Sequence, residues 1–317
     1  MNNGPARFAF YFDQLEKLMA EAAKQNDPAL WLYQNNARTT LFMLEGLANL
    51  YSSLHNKKRF ARLEMHFKLL EDALGAIDYY DGFAKEFAKD KKVSAAVTKA
   101  VEAKATEKTK ALNKLLIKKN WLGKDANRIA RMRSKLAGAE WLEPKPEMKA
   151  IEAFYQKNVA NINAFAEQYQ SGFTVLETQV HELRRKLRWL SIYPQALQGS
   201  IQLTEKASGD HNVVKYLLPD IVNSPFNKMP AEGANAYLLM LDRDYFFALS
   251  WIISALGKLK DQGLRTVALN EAGIKSKTDE KDEAAILKQA SAITQTFFAE
   301  KNLDKLVSSV MKSKDSS

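Results

Sequence analysis

The sequence contains no cysteine, which excludes disulfide bonds, thiolate metal sites and cysteine nucleophiles. Glycine and proline are scarce, with 13 and 8 among 317 residues, and this scarcity favours long helices over a turn-rich all-β fold. The longest uncharged apolar run, residues 245–257, is too short to span a bilayer. The first residues lack the basic and then apolar order of a signal peptide, so we expect a cytoplasmic protein with no membrane partner.

Signatures of common enzymes are missing as well. The sequence has no Walker A loop, no dinucleotide-binding glycine pattern and no nucleophile elbow. None of the four histidines follows a glutamate by three residues, so the Glu-x-x-His pairs of a di-iron bundle are absent. Two acid pairs have residue types that suit acid–base chemistry, Glu71 with Asp72 and Asp78 with Asp81. Their expected role is a solvated or salt-bridged helix face. We therefore expect a protein that is not an enzyme and needs no cofactor.

Apolar residues recur every three or four positions along nearly the whole chain, as they do on amphipathic helices. One such stripe consists of Leu41, Leu44, Leu47, Leu50 and Leu54. No convincing alternation with a period of two is visible, so the pattern predicts an all-α fold. Pro144 and Pro146 interrupt the pattern near its middle and divide the chain into residues 1–146 and 147–317.

The two parts share features in the same order. A Phe-Tyr pair opens an early helix in each, at residues 10–11 and 154–155, and an Ala-Leu-Gly triplet follows later, at 73–75 and 255–257. We interpret these features as a divergent internal duplication, and the competing interpretation is coincidence between helical stretches of similar composition. The second part holds an extra segment, about 205–235, predicted to be a long loop with a short helix.

Positive charge is concentrated in one segment. The net charge is +10, and residues 104–135 contain eleven Lys or Arg against two acids, a surplus of nine. Lys114 and Lys118 belong to one helical row within it, and Arg128 and Arg131 follow. Rows of this kind bind phosphates without base specificity, which points to a polyanion partner. The competing interpretation is a solvated helix face.

A second basic group lies on a single predicted helix face. At relative positions 0, 3, 4 and 7 stand His181, Arg184, Arg185 and Arg188. Clustered guanidinium groups repel one another, and bidentate bonds to phosphate or carboxylate oxygens relieve that repulsion. Glu177 and Glu182 are close enough in sequence to neutralise the stripe instead, in a structural network of ion pairs.

The same segment resembles the signature of the conserved histidine α-helical domain (CHAD) family, V-H-x-L-R-x-x-x-R-x-L. His181, Arg184 and Arg188 match its histidine and its two arginines. The family's later motif, L-G-x-x-(R/K)-D-x-D, is matched by residues 256–261, with Gly263 where a second Asp is usual. In the first part of the chain Asn35 stands at the histidine position, Arg38 keeps the first arginine and Phe42 replaces the second.

This resemblance implies a pair of antiparallel four-helix bundles related by an approximate two-fold axis, with residues 1–146 as the degenerate repeat. It also implies non-catalytic binding of inorganic polyphosphate in a basic groove, and association with polyphosphate granules. We expect the principal phosphate ligands to be His181, Arg184, Arg185, Lys186 and Arg188, extended by Lys260 and Arg38. Weaker candidates are Lys114, Lys118, Arg128 and Arg131.

Two other functions share the charge signal. The first is a helical interaction scaffold that has lost polyphosphate binding and docks an acidic protein partner. The second is nucleic-acid binding, for which no recognised motif is present. The aromatic residues 245–247 are expected in the core rather than on a base-stacking platform, and His66 is expected to be an ordinary helix residue rather than a ligand.

Overall fold

The structure is a computed structural model, and it describes residues 3–273 and 277–313. These residues form eleven α-helices and one three-stranded sheet, so the prediction of a mostly helical protein is confirmed. They divide into two compact units, which we call the first unit (residues 3–141 and 267–273) and the second unit (residues 142–266 and 277–313). Within these residues, no helix combines the length and the apolar content needed to cross a membrane.

The first unit is built from six helices in succession. They are α1 (Asn3–Ala22), α2 (Pro28–Gln34), α3 (Ala37–Leu54), α4 (Lys57–Phe87), α5 (Ala95–Lys118) and α6 (Arg128–Ala137). Asn36, Asn56 and Asn120 adopt left-handed backbone conformations where the chain turns between helices. Asparagine tolerates that conformation better than most residues, which allows α3 to end and α4 to begin within two residues.

Aromatic side chains fill one end of the first unit. The rings of Phe8, Tyr51, Phe60 and Trp141 lie with centroids 5.3 to 6.0 Å apart. The buried Arg7 donates a hydrogen bond from Nη1 to the Tyr51 hydroxyl at 2.7 Å. The cluster joins α1, α3, α4 and Trp141 of the segment after α6, so it fixes the ends of α3 and α4 relative to that segment.

The second unit combines helices with a small sheet. Its elements are α7 (Pro144–Glu167), a π-helix (Leu176–His181), α8 (Glu182–Ala196), β1 (Ile201–Leu203), α9 (Pro219–Val222), β2 (Tyr237–Leu241), α10 (Arg243–Glu271), α11 (Lys277–Ala299) and β3 (Val307–Lys312). The last residues of α10 belong to the first unit. Two turns of 3₁₀-helix accompany α9 between β1 and β2, so the prediction of a loop with a short helix at 205–235 is confirmed.

The sheet was not expected from the sequence. β2 pairs in parallel with β1 and antiparallel with β3, and Ile201 and Leu239 are fully buried. β2 is the uninterrupted apolar run Tyr-Leu-Leu-Met-Leu, and it shows no alternation because residues on both of its faces, such as Leu238 and Leu239, are buried. Periodicity does not distinguish so short a run from one turn of a buried helix, which explains why it was missed.

Candidate functional site

The segment that resembles the CHAD signature lies within the π-helix and α8. We call these two elements together the motif helix (residues 176–196). His181 is the last residue of the π-helix and Arg184 to Arg188 lie on α8. The apolar side chains of Val180, Leu183 and Leu187 are fully buried, so this face of the segment packs into the core. The basic side chains lie on the partly exposed face.

Acidic residues of the motif helix pair with three of its basic residues. His181 Nδ1 lies 2.7 Å from Glu177 Oε1, and this hydrogen bond holds the pKa of Glu177 below its ordinary value. Glu182 pairs with Arg185 at 2.7 Å and with Lys186 at 3.2 Å. In the second motif, Lys260 pairs with the adjacent Asp261 at 2.9 Å. Much of the positive charge predicted to bind phosphate is therefore balanced within the second unit.

Arg184 has a packing role that the sequence did not reveal. Its Nε donates a hydrogen bond to the carbonyl oxygen of Ile253 at 3.1 Å. A β-carbon on Gly257 would lie 2.9 Å from that Nε, so a larger residue at this position of α10 would displace the guanidinium. Arg188, also half-buried, lies one turn further along α8.

Arg38 has an equivalent position in the first unit. Its Nε lies 2.7 Å from Glu71 Oε1 and its Nη1 lies 3.0 Å from Asp78 Oδ2. A β-carbon on Gly75 would lie 2.8 Å from its Nη2. Arg38 therefore packs on a glycine of α4 and is balanced by two carboxylates, one of which, that of Glu71, is buried.

The weaker candidates occupy more open surroundings in the first unit. Lys114 and Lys118 are exposed one turn apart on α5, and Lys118 is its last residue. Among the residues described, neither has an ion-pair or hydrogen-bond partner. Their side chains are available to an anion in solvent.

Arg128 and Arg131 help to line a cavity of about 650 Å³ between the start of α4 and α6, which we call the basic pocket. Seven of its lining residues are cationic and none is Asp or Glu. The charged and titratable members are Lys57, Lys58, Arg59, Arg62, His66, Arg128, Arg131 and Lys135. Leu63 and Met132, both nearly fully buried, supply its apolar floor.

The two helices present their charges with the same spacing. On α4, Arg59, Arg62 and His66 stand at relative positions 0, 3 and 7. On α6, the same positions are taken by Arg128, Arg131 and Lys135. Since this spacing places side chains on one helix face, each helix directs a row of donors into the cavity.

Hydrogen bonds to backbone carbonyl groups hold the pocket's edges. Arg128 Nε donates to the Lys119 carbonyl oxygen at 2.8 Å, and Arg59 Nη1 donates to that of Gly138. Across the part of the chain that the structure describes, no carboxylate lies within 4 Å of the seven cationic groups. The opposite face of α6 is balanced, because Arg133 pairs with Asp13 and Glu16 of α1. The unbalanced charge thus faces the cavity.

His66 lies half-buried among these cations. Its burial lowers the pKa of the imidazole, and the charges of Arg128, Lys135 and Lys119 lower it further. The hydrogen bond from Arg128 to the Lys119 carbonyl oxygen places the residue after α5 beside the pocket. The cations around the imidazole contribute a positive potential, which favours a bound anion.

Sequence reasoning missed Lys57, Lys58, Arg59, Arg62 and His66. A signal was present, because residues 57–62 contain four basic residues and no acid. Their approach to α6 depends on how α4 and α5 pack, and no local pattern encodes that packing.

Comparison of the chain with family models, curated proteins and solved structures finds no significant match. Among the side chains of residues 3–273 and 281–313, no three His, Asp or Glu are grouped so that they could hold a metal ion. The basic pocket instead presents clustered hydrogen-bond donors. Guanidinium groups bind phosphate oxygens bidentately, and ammonium groups add point charges.

Proposed function

We propose that the chain binds inorganic polyphosphate or a similar phosphate polymer without catalysis, and that the basic pocket is the principal contact. The observation that carries this proposal is a cavity lined by seven cationic side chains and no carboxylate. Like charges held this close repel one another, and a bound polyanion relieves that repulsion. The ligand is therefore expected to stabilise the fold when it binds.

The surroundings favour a polymer over a single phosphate ion. Lys119 stands beside the pocket, and the exposed Lys118 and Lys114 precede it along α5. A chain of phosphates held in the pocket can continue along this row. Affinity should consequently rise with polymer length until the row is covered.

The lining argues against recognition of bases. None of the eleven lining residues carries an aromatic ring apart from the imidazole of His66. Proteins that bind single-stranded nucleic acids without sequence preference stack bases on aromatic side chains, and this cavity offers charge without such a platform.

The residues of the motif helix then have secondary roles. We propose that Arg184 and Arg38 chiefly pack α8 on Gly257 and α3 on Gly75, and that His181, Arg185 and Lys186 are secondary contacts. Their ion pairs with Glu177 and Glu182 support this ranking. The matching Arg–Gly contacts also support the proposed duplication and a CHAD-like ancestry of paired bundles.

Filter retention of long-chain polyphosphate at several salt concentrations tests the function. About five phosphate contacts would lower affinity roughly a hundredfold when salt rises fourfold, by analogy with single-stranded nucleic acids. Competition with RNA of equal charge distinguishes polyphosphate binding from nucleic-acid binding, because RNA should displace polyphosphate poorly. Absence of retention at low salt would overturn the proposal.

One observation favours the second candidate, an interaction scaffold for an acidic protein. Three basic residues of the motif helix, His181, Arg185 and Lys186, are paired with its own acids, as expected of a surface that has lost a phosphate ligand. This candidate predicts capture of an acidic protein that polyphosphate does not displace. If polyphosphate displaces the acidic protein, that protein binds at the basic pocket.

A further inference from the structure

We propose that His66 takes up a proton when a multivalent phosphate occupies the basic pocket, so that affinity for the phosphate rises as the pH falls. This inference rests on the proposed function and concerns the regulation of the same site. It assigns a specific role to a residue that the sequence presents as an ordinary helix position.

The geometry places the imidazole where a bound anion must act on it. His66 follows Arg62 by one turn of α4 and shares the cavity with the three basic residues of α6. Its ring nitrogens have no hydrogen-bond partner among the described side chains, those of residues 3–273 and 281–313. A phosphate held by the surrounding guanidinium groups would offer that missing acceptor.

The charged groups that face His66 are all cationic. They are Arg59 and Arg62 on its own helix, Arg128, Arg131 and Lys135 on α6, and Lys119 after α5. The acids of the helices packed nearby lie next to groups outside the pocket. On α1, Asp13 and Glu16 pair with Arg133, and on α3, Glu45 lies near Lys68 and Glu71.

Without an anion, this environment keeps the imidazole neutral near pH 7. Burial and then the charges of Arg128, Lys135 and Lys119 lower the pKa of His66 from its ordinary value of 6.5. A multivalent phosphate reverses the sign of the local potential and accepts a hydrogen bond from the imidazolium, so the pKa rises on binding.

The direction of the pH dependence follows from this difference. Because the bound form holds the proton more tightly, a proton passes from solvent to the imidazole as the ligand binds. Between the pKa of His66 in the free protein and its pKa in the complex, affinity falls up to tenfold for each unit of rising pH. Outside that interval His66 does not change how affinity depends on pH. Internal phosphates of a long polymer are strong acids and stay ionised, so the ligand adds little slope of its own.

Calorimetric titration of the full chain with long-chain polyphosphate, at pH 6, 7 and 8 in buffers of different ionisation enthalpy, measures the proton uptake. We expect uptake of about half a proton or more between pH 6 and 7, and little at pH 8. His66→Gln should match the original chain at pH 8, bind about five- to tenfold more weakly at pH 6, and lose the uptake. His211→Gln, which changes an exposed histidine, is the matched control and should leave both quantities unchanged.

The possible outcomes distinguish a failure of the role of His66 from a failure of the proposed polyphosphate binding. No binding at any pH overturns both proposals. Binding without proton uptake, or equal uptake in His66→Gln, overturns only the role of His66. Nuclear magnetic resonance titration of the His66 ring in the unaltered chain gives an answer independent of any folding defect in the variant. An upward pKa shift on adding polyphosphate is expected, and an unchanged pKa contradicts the inference.

Discussion

The Nη2 atom of Arg38 lies so close to Gly75 that a β-carbon on that glycine would stand 2.8 Å away. Arg184 covers Gly257 in the same manner, with its Nε at 2.9 Å from the corresponding position. In each unit an arginine from one helix therefore rests on a glycine of a long helix. The guanidinium that rests on Gly75 also neutralises the buried carboxylate of Glu71.

Gly75→Ala is predicted to destabilise the first unit by about 1 kcal/mol. Alanine improves helix propensity by about 1 kcal/mol, but its β-carbon displaces Arg38 and costs about 2 kcal/mol by leaving buried Glu71 without its charged donor. Gly82→Ala on the same helix is the matched control, since nothing lies within 4 Å of that position. It should stabilise the protein in urea unfolding. Equal stabilisation by both changes would contradict the packing role.

A second prediction concerns Glu45, whose burial on α3 raises its pKa to about 7 and whose Oε2 has no hydrogen-bond partner within the described part of the chain. An unfolded glutamate ionises near pH 4.5. The stability supplied by this neutral carboxyl is therefore complete below pH 4.5 and is lost as the pH rises through 7.

Glu45→Gln should accordingly raise the free energy of unfolding at pH 8 by up to about 3 kcal/mol and change it little at pH 4.5. Chemical unfolding at the two pH values measures the difference. Glu71→Gln serves as the contrast, because it removes the acceptor for Arg38 and should destabilise at pH 8. A pH-independent effect of Glu45→Gln would show that the carboxyl is not held neutral.

Arg131→Gln should raise the melting temperature of the ligand-free protein by about 1 to 2 °C, because it removes one of seven clustered cations. The same change should reduce the further rise that polyphosphate produces, since binding to the folded state stabilises it. Differential scanning calorimetry with and without the polymer measures both changes in melting temperature. A lower melting temperature without ligand would mean that Arg131 has a stabilising partner.

A fourth prediction addresses the motif helix. Replacing Glu177 and Glu182 together by Gln frees His181, Arg185 and Lys186 from their ion pairs. Affinity for polyphosphate should rise about threefold to tenfold at low salt, where exposed charges are least screened. Replacing Glu102 and Asp220, two exposed acids outside the motif helix, by their amides gives the same change in net charge and is the control. An unchanged affinity would exclude the motif helix from the binding surface.

Particular residues show what the sequence could reveal. The spacing of Leu41, Leu44 and Leu47 identified a buried helix face, because local periodicity follows directly from helix geometry. The strands were missed because β2 is short and apolar throughout. The basic pocket was missed because Arg62 and Arg131 are far apart in the chain, and only the packing of α4, α5 and α6 brings them to one cavity.

The most direct test of the central claim compares two variants that each lose two positive charges. Arg128→Gln with Arg131→Gln alters the basic pocket, whereas Arg185→Gln with Lys186→Gln alters cations already balanced by Glu182. Calorimetry with long-chain polyphosphate should show a loss of affinity of about tenfold or more for the first variant and about twofold or less for the second. Equal losses, or a larger loss in the second variant, would contradict the assignment of phosphate binding to the pocket.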